Sequence, residues 1–141
     1  FREPGGDVTF ELIHEVPAAG VAFDGQGFMY VADSGSSCVV KFDRTGKQVA
    51  KWGVKGTRPN ELNAPTGIAV DKAGDVYVAD TGNNRVEKFT PGGKMICLWG
   101  GGAGPAALLT GPAGVAVTDK GAVFVIEKDA NRIQEFRVPS K

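Results

Sequence analysis

The chain has 141 residues, 42% of them apolar, and its 16 basic side chains balance 16 acidic ones. That is the length and core-forming content of one ordinary domain. The sequence has no apolar run of 18 residues to cross a membrane as a helix, and no net charge to draw it to nucleic acid or anionic lipid. With 21 glycines and 8 prolines, no stretch sustains a helical apolar stripe, and an all-β chain is predicted.

In chain order, the first element is Val8 to Val16 (VTFELIHEV), where Val8, Phe10 and Leu12 alternate with Thr9 and Glu11, the period of a strand. His14 is the one histidine of the sequence and shares a face with Phe10 and Leu12. It is read as a partly buried interface side chain, not as a ligand or base. From there the sequence matches itself at offsets of 47 and 94 residues without a gap. Gly20, Gly67 and Gly114 fall in register, as do Tyr30, Tyr77 and Phe124, then Asp33, Asp80 and Glu127, then Phe42, Phe89 and Phe136. A period of this size marks a repeat array.

The second copy shows the unit most clearly. Runs at 67–71, 76–80, 85–90 and 95–99 are β-branched or aromatic, and Lys72-Ala73-Gly74, Thr81-Gly82-Asn83-Asn84 and Pro91-Gly92-Gly93 separate them with turn-forming residues. Four hairpin-linked strands follow. The first, GIAV, is read as the strand buried on both faces. The third, with Val86, Lys88 and Thr90 alternating against Glu87 and Phe89, is read as an outer strand partly bathed in water. Four antiparallel strands per repeat describe a propeller blade, and the blades run at about 17–53, 64–100 and 111–137. The short turns after strands 1 and 3 fall on one side of the array. The loops after strand 2 share the other side with the connections from blade to blade.

The residues from Pro65 to Gly100 carry a family resemblance: Pro-Thr-Gly-Ile-Ala-Val-Asp, then Val-Tyr-Val-Ala-Asp, then Gly-Asn-Asn-Arg-Val, Lys-Phe and a closing Trp-Gly. This string resembles the NHL repeat, and the likeness extends over Gly20 to Gly53 and, more loosely, Pro112 to Phe136. Copy one departs from it with Ser37-Cys38 in place of Asn-Arg, and copy three with Glu127-Lys128-Asp129 in place of Asp-Thr-Gly. The resemblance implies a β-propeller, typically six-bladed, with Arg85 and Arg132 bracing blades.

Three blades close a ring poorly, because each would turn through roughly twice the angle of a six-bladed ring, and propellers use about four to eight. An open arc leaves two apolar blade faces uncovered. The reading is a half propeller whose six-bladed ring is completed by a homodimer, with strand 8–16 supplying the strand that copy three lacks, preferably in the partner chain. The rival is a piece of a longer propeller. Charge is uneven: Arg2 against Glu3, Asp7, Glu11, Glu15, Asp24 and Asp33 precedes Lys41, Arg44, Lys47, Lys51, Lys55 and Arg58 against Asp43. An acidic leader and a basic first blade would favour association, although a solvated rim explains them as well.

Chemistry-bearing residues are few. Cys38 and Cys97 lack metal-like spacing and are read as buried free thiols. Asp33, Asp80 and Glu127 form one carboxylate per blade, and a divalent cation in a central channel would suit such oxygens. Asp before Ser-Gly or Thr-Gly is equally what a tight turn needs, and that turn role is preferred, with no catalytic residue and no cofactor assigned. One histidine falls short of the zinc site of an amidating lyase. Gly102-Ala103-Gly104-Pro105-Ala106-Ala107 imitates a dinucleotide loop but lacks a helix to receive the pyrophosphate. Ala106 to Leu109 is read as a plug between blades, Leu109 aligning with Leu62.

Binding is placed on the loop face, at Ser34, Ser36, Asn83, Asn84, Lys128 and Asn131 with Lys55 and Arg58 from the connection. A non-catalytic scaffold that self-assembles and binds a protein, peptide or small ligand is the first reading. A metal-dependent, lactonase-like hydrolase or lyase is the alternative, and RNA binding the third, weakened by the absence of an aromatic stacking platform.

Overall fold

The structure is a computed structural model that describes residues 2–3, 6–7, 16–102 and 109–137, with the first two pairs described as backbone only. Among the described residues its regular elements are all strands apart from two 3-10 turns, Thr81–Asn83 and Lys128–Ala130. A short antiparallel pair, β1 (Arg2–Glu3) and β2 (Gly6–Asp7), comes first. Blade 1 is β3 (Ala18–Phe23), β4 (Met29–Asp33), β5 (Cys38–Phe42) and β6 (Gln48–Trp52) in sequence order. A parallel pair, β7 (Val54–Lys55) and β8 (Glu61–Leu62), leads to blade 2: β9 (Gly67–Val70), β10 (Val76–Asp80), β11 (Arg85–Phe89) and β12 (Met95–Gly100). Blade 3 has three described strands, β13 (Pro112–Val117), β14 (Ala122–Glu127) and β15 (Arg132–Arg137). The expected strand at Val8 to Val16, with His14, lies outside the described residues except for Val16, which is in no strand.

The hairpins follow from the turn residues. Gly27, Gly74 and Gly121 close the first turn of each blade at φ of 90°, 92° and 84°, a conformation that costs glycine nothing. Ser37, Asn84 and Asn131 take the left-handed conformation ahead of the third strand, Asn being among the residues that tolerate it.

Each blade turns one face forward, to the next repeat, and one back. Tyr30, Ala32, Val39 and Trp52 face forward onto Ile68, Val78 and Phe89 of blade 2. Tyr77, Val86 and Trp99 face forward onto Val115, Val123, Val125 and Phe136 of blade 3. The inner strands approach closest. A Cβ on Gly20 would lie 2.6 Å from the Thr66 carbonyl oxygen, and one on Gly67 would lie 2.7 Å from that of Ala113, so the glycine repeat is a requirement of backbone meeting backbone. Leu62 and Leu109 are buried at the two joints, the place of a plug. Residues 106–108 of the expected plug lie outside the described residues.

Two expectations about burial are corrected. The first strand is not the most buried in every repeat: β3 exposes four of its six residues, whereas β9 is covered. Strand β11 is no half-solvated edge but is buried at all five positions, Glu87 and Lys88 included. Blades on both sides cover it, and its charges find partners inside: Lys88 Nζ lies 3.8 Å from Asp75 and over the Tyr77 ring.

Candidate functional site

The repeated carboxylates sit where strand 2 turns toward strand 3. Asp33 Oδ1 accepts the Ser36 N–H at 2.9 Å. Asp80 accepts the Asn63 N–H at 2.7 Å, the Asn83 amide at 2.8 Å and Arg85 Nε at 3.1 Å. Glu127 accepts the Thr110 N–H at 2.9 Å, Gln134 Nε2 at 2.8 Å and the Arg132 guanidinium. Those bonds, Arg132's foremost, hold the Glu127 carboxyl down at about 2. Among the described residues no three His, Cys, Asp or Glu side chains gather as metal ligands would.

Arg85 is the hub of this face. Beyond Asp80, its guanidinium donates to the carbonyls of Thr57, Arg58 and Glu61 at 2.7 to 2.9 Å and lies 3.2 Å from Glu87 Oε2. It therefore clamps the connection between blades 1 and 2 onto blade 2, and Asn83 Nδ2 adds a bond to the Gly56 carbonyl. Burial, then the neighbouring Asp80 carboxylate, pushes Glu87 up to about 8. Sequence reasoning missed Glu87, Glu61 and Asn63; three of the acceptors on Arg85 are backbone carbonyls, which leave no mark in side-chain pattern.

Of the loop-face residues, Asn83 is committed to Asp80 and Gly56, and Asn84 Oδ1 accepts the Gly111 N–H at 2.9 Å. Ser34 donates to the Pro17 carbonyl. Ser36, Lys55 and Arg58 are exposed, the latter two on the connection that Arg85 holds. Lys128 and Asn131 are brought together elsewhere, beside an open cavity of about 450 Å³ whose floor includes Ile126 and Ile133 on blade 3. The eight residues therefore do not make one patch: Asn83 lies at the connection between blades 1 and 2, Asn84 at that between blades 2 and 3, and Lys128 and Asn131 stand together on blade 3. Cys38 is buried and Cys97 partly so, both as free thiols, and burial raises both above the usual thiol range.

Four-stranded antiparallel sheets stacked face to face, with the first strands closest together, define propeller blades. The NHL repeat family matches residues 62–89, from the end of the first connection to the third strand of blade 2. No curated protein matches it. Among solved structures it is similar to a catalytically inactive virginiamycin B lyase from Staphylococcus aureus with quinupristin, at 17% identity and a TM-score of 0.64 over 99% of this chain and 48% of that one. A streptogramin B lyase matches at 16% identity and a TM-score of 0.61, covering 86% of this chain and 40% of the other. PorZ, a surface component of the type-IX secretion system of Porphyromonas gingivalis, matches at 18% and 0.65 over 85% and 17%. The chain thus spans less than half the length of each, and likeness at such identity establishes the fold alone.

Proposed function

We propose that the chain is a non-catalytic NHL-type propeller scaffold that self-assembles through its blade faces, two copies forming a six-bladed ring, and binds a protein, peptide or small ligand on its loop face. One observation carries the reading. The carboxylates a channel cation would require are engaged as acceptors for turns, asparagine and arginine, while Ser36, Lys55, Arg58 and Lys128 stand exposed around them. Self-assembly is supported by exposed apolar residues at both ends of the array: Val21 and Phe23 on blade 1, at 58% and 61% exposure, and Ile126 and Ile133 on blade 3, at 51% and 67%. Patches of this kind mark interaction surfaces.

The test combines mass, metal and binding. Sedimentation is expected at twice 14.7 kDa, with no cation retained after dialysis and no ester or lactone turnover. A panel of short peptides read by fluorescence polarisation should include binders that a Lys55→Ala, Arg58→Ala, Lys128→Ala variant loses while remaining dimeric. Stoichiometric calcium or zinc together with turnover abolished in Asp80→Asn would replace the scaffold by a hydrolase.

A further inference from the structure

Both halves of one blade joint lie on this chain, at opposite ends. The two internal joints show what a joint consists of. At the first, Gly20 admits the Thr66 carbonyl, Ile68 faces back onto Tyr30 and Ala32, and Lys41 Nζ reaches across to the Pro91 carbonyl at 3.0 Å. The second joint repeats the inner contacts with Gly67, Ala113 and Val115. In register, the positions of Ile68 and Val70 in blade 1 are Val21 and Phe23, and those of Ala32 and Val39 in blade 3 are Ile126 and Ile133. Ile126, Ile133, Val21 and Phe23 are the four exposed residues named above. The three atoms nearest a Cβ on Gly114 all belong to Ile126, its Cδ1 at 3.2 Å, and among the described residues no inner strand of a following blade lies against it. The wedge that opens outward behind β3 already has its filler. Val16 packs against Val31, Cys38, Val40 and Phe42, on the backward face of blade 1, as Leu62 does on that of blade 2.

Charge identifies the occupant. Lys41, which reaches forward to the next blade, has Lys88 and Glu135 as its counterparts in blades 2 and 3, Glu135 being paired with Phe124 across β14 and β15 and so on the forward face. The position reached is uncharged in the two later copies, as Pro91 and Val138, and is Arg44 in blade 1. The sign changes on blade 3 where the receiving residue of blade 1 becomes a cation, which internal neighbours do not require and a second copy does. Within one chain Glu135 lies 3.0 Å from Arg137 and Arg44 Nε donates to the Gln26 carbonyl, exposed contacts of the kind that hold a charge only weakly. We propose, on the basis of the self-assembly reading above, that the forward face of blade 3 docks the backward face of blade 1 of a second copy. Glu135 pairs with Arg44 there, and Ile126 and Ile133 pack on Val21 and Phe23.

Like charges brought face to face at an interface are strongly unfavourable, so a charge exchange reads the joint directly. Sedimentation equilibrium of the full chain, Glu135→Lys, Arg44→Glu and the double exchange is the experiment. Glu135 and Arg44 are exposed, so thermal melts of the variants under dissociating dilution should coincide with the parent. Each single exchange is expected to weaken the dimer by roughly tenfold or more, and the double exchange to recover most of that loss. A dimer indifferent to both single exchanges, or a double exchange no better than either, overturns this joint and leaves self-assembly standing by another surface. A parent chain that stays monomeric at the highest concentrations overturns the self-assembly reading and this joint with it.

Discussion

Blade 2 and blade 3 carry the same repeat, yet one is buried on both faces and the other on one. All five residues of β10 and of β11 are buried, whereas β15 exposes four of its six. Sequence at matched positions does not account for this. Val86 is fully buried and Ile133 is 67% exposed at the same repeat position, although isoleucine is the more apolar. Burial here is set by place in the stack. A repeat array is stabilised by nearest-neighbour interfaces more than by the unit itself, and a terminal unit keeps one interface unmade.

The largest expected contrast lies at the paired arginines. The Arg85 side chain is 9% exposed between Asp80 and Glu87, which are fully buried, whereas that of Arg132 is 45% exposed. Arg85→Ala strands the Asp80 carboxylate, the Glu87 carboxyl and three carbonyls in a dry joint, a loss of about 3–5 kcal/mol for a broken buried ion pair. Arg132→Ala, where water reaches the guanidinium, should cost clearly less. Urea unfolding of the two variants measures the difference. Equal losses would mean that blade 3 is as enclosed as blade 2 in solution.

The glycines sharpen the same contrast. In Gly67→Ala the new methyl would sit 2.7 Å from the Ala113 carbonyl oxygen and 2.9 Å from Gly114 Cα, both backbone, so two blades must separate at a cost of about 1–3 kcal/mol. In Gly114→Ala the nearest atom is the flexible end of Ile126, and the isolated chain should tolerate it. Self-association should suffer instead, because another inner strand would have to take the place that Ala113 takes over Gly67. Melting temperature for the first variant and sedimentation for the second are the measurements. A Gly114→Ala variant that melts low but assembles normally would reverse the assignment of that face.

Much of this was legible from the sequence, and the remainder fails for identifiable reasons. The period placed the strands and turns, because apolar alternation and Gly or Asn at positive φ are local signals, and the expected carboxylate on its own turn is seen at Asp33, which accepts the Ser36 N–H, whereas Asp80 accepts the Asn63 N–H of the preceding connection instead. Burial of Glu87 and Lys88 was not legible, since alternation with Phe89 reads as a wet edge until both neighbours of the blade are known. The loop-face set divides for a similar reason. Asn83 and Asn84 look like ligand-binding amides in a list of polar residues, but each is taken by a backbone group of an adjacent connection, Gly56 or Gly111. Tyr30 and Tyr77 donate to Asp24 and Asp71, whereas copy three has Phe124 and Thr118 at those positions. Donor and acceptor are absent together, which an alignment of Phe124 with Tyr30 and Tyr77 taken one position at a time does not register.

A contrast that depends on pH comes from comparing Glu87 with Gln134, its counterpart in blade 3. Gln134 Nε2 donates to Glu127, the carboxylate aligned with Asp80, and a carboxyl at position 87 can do the same for Asp80 only while it keeps its proton. Burial raises Glu87 from 4.5 to about 8, so between those values the folded chain binds a proton that the unfolded chain has released. Stability therefore falls as pH rises from about 4.5 through about 8 and levels off above. Glu127 has the opposite sign: its pKa is held down at about 2, and its contribution is present above about 4.5 and lost as pH falls through 2. Glu87→Gln supplies the donor permanently and gives blade 2 the arrangement of blade 3. Its melting temperature should match the parent's below about pH 4.5, exceed it increasingly up to about pH 8, and keep that margin above. Parallel profiles across that range would show that Glu87 is ionised at neutral pH, and that Arg85 alone neutralises the pair.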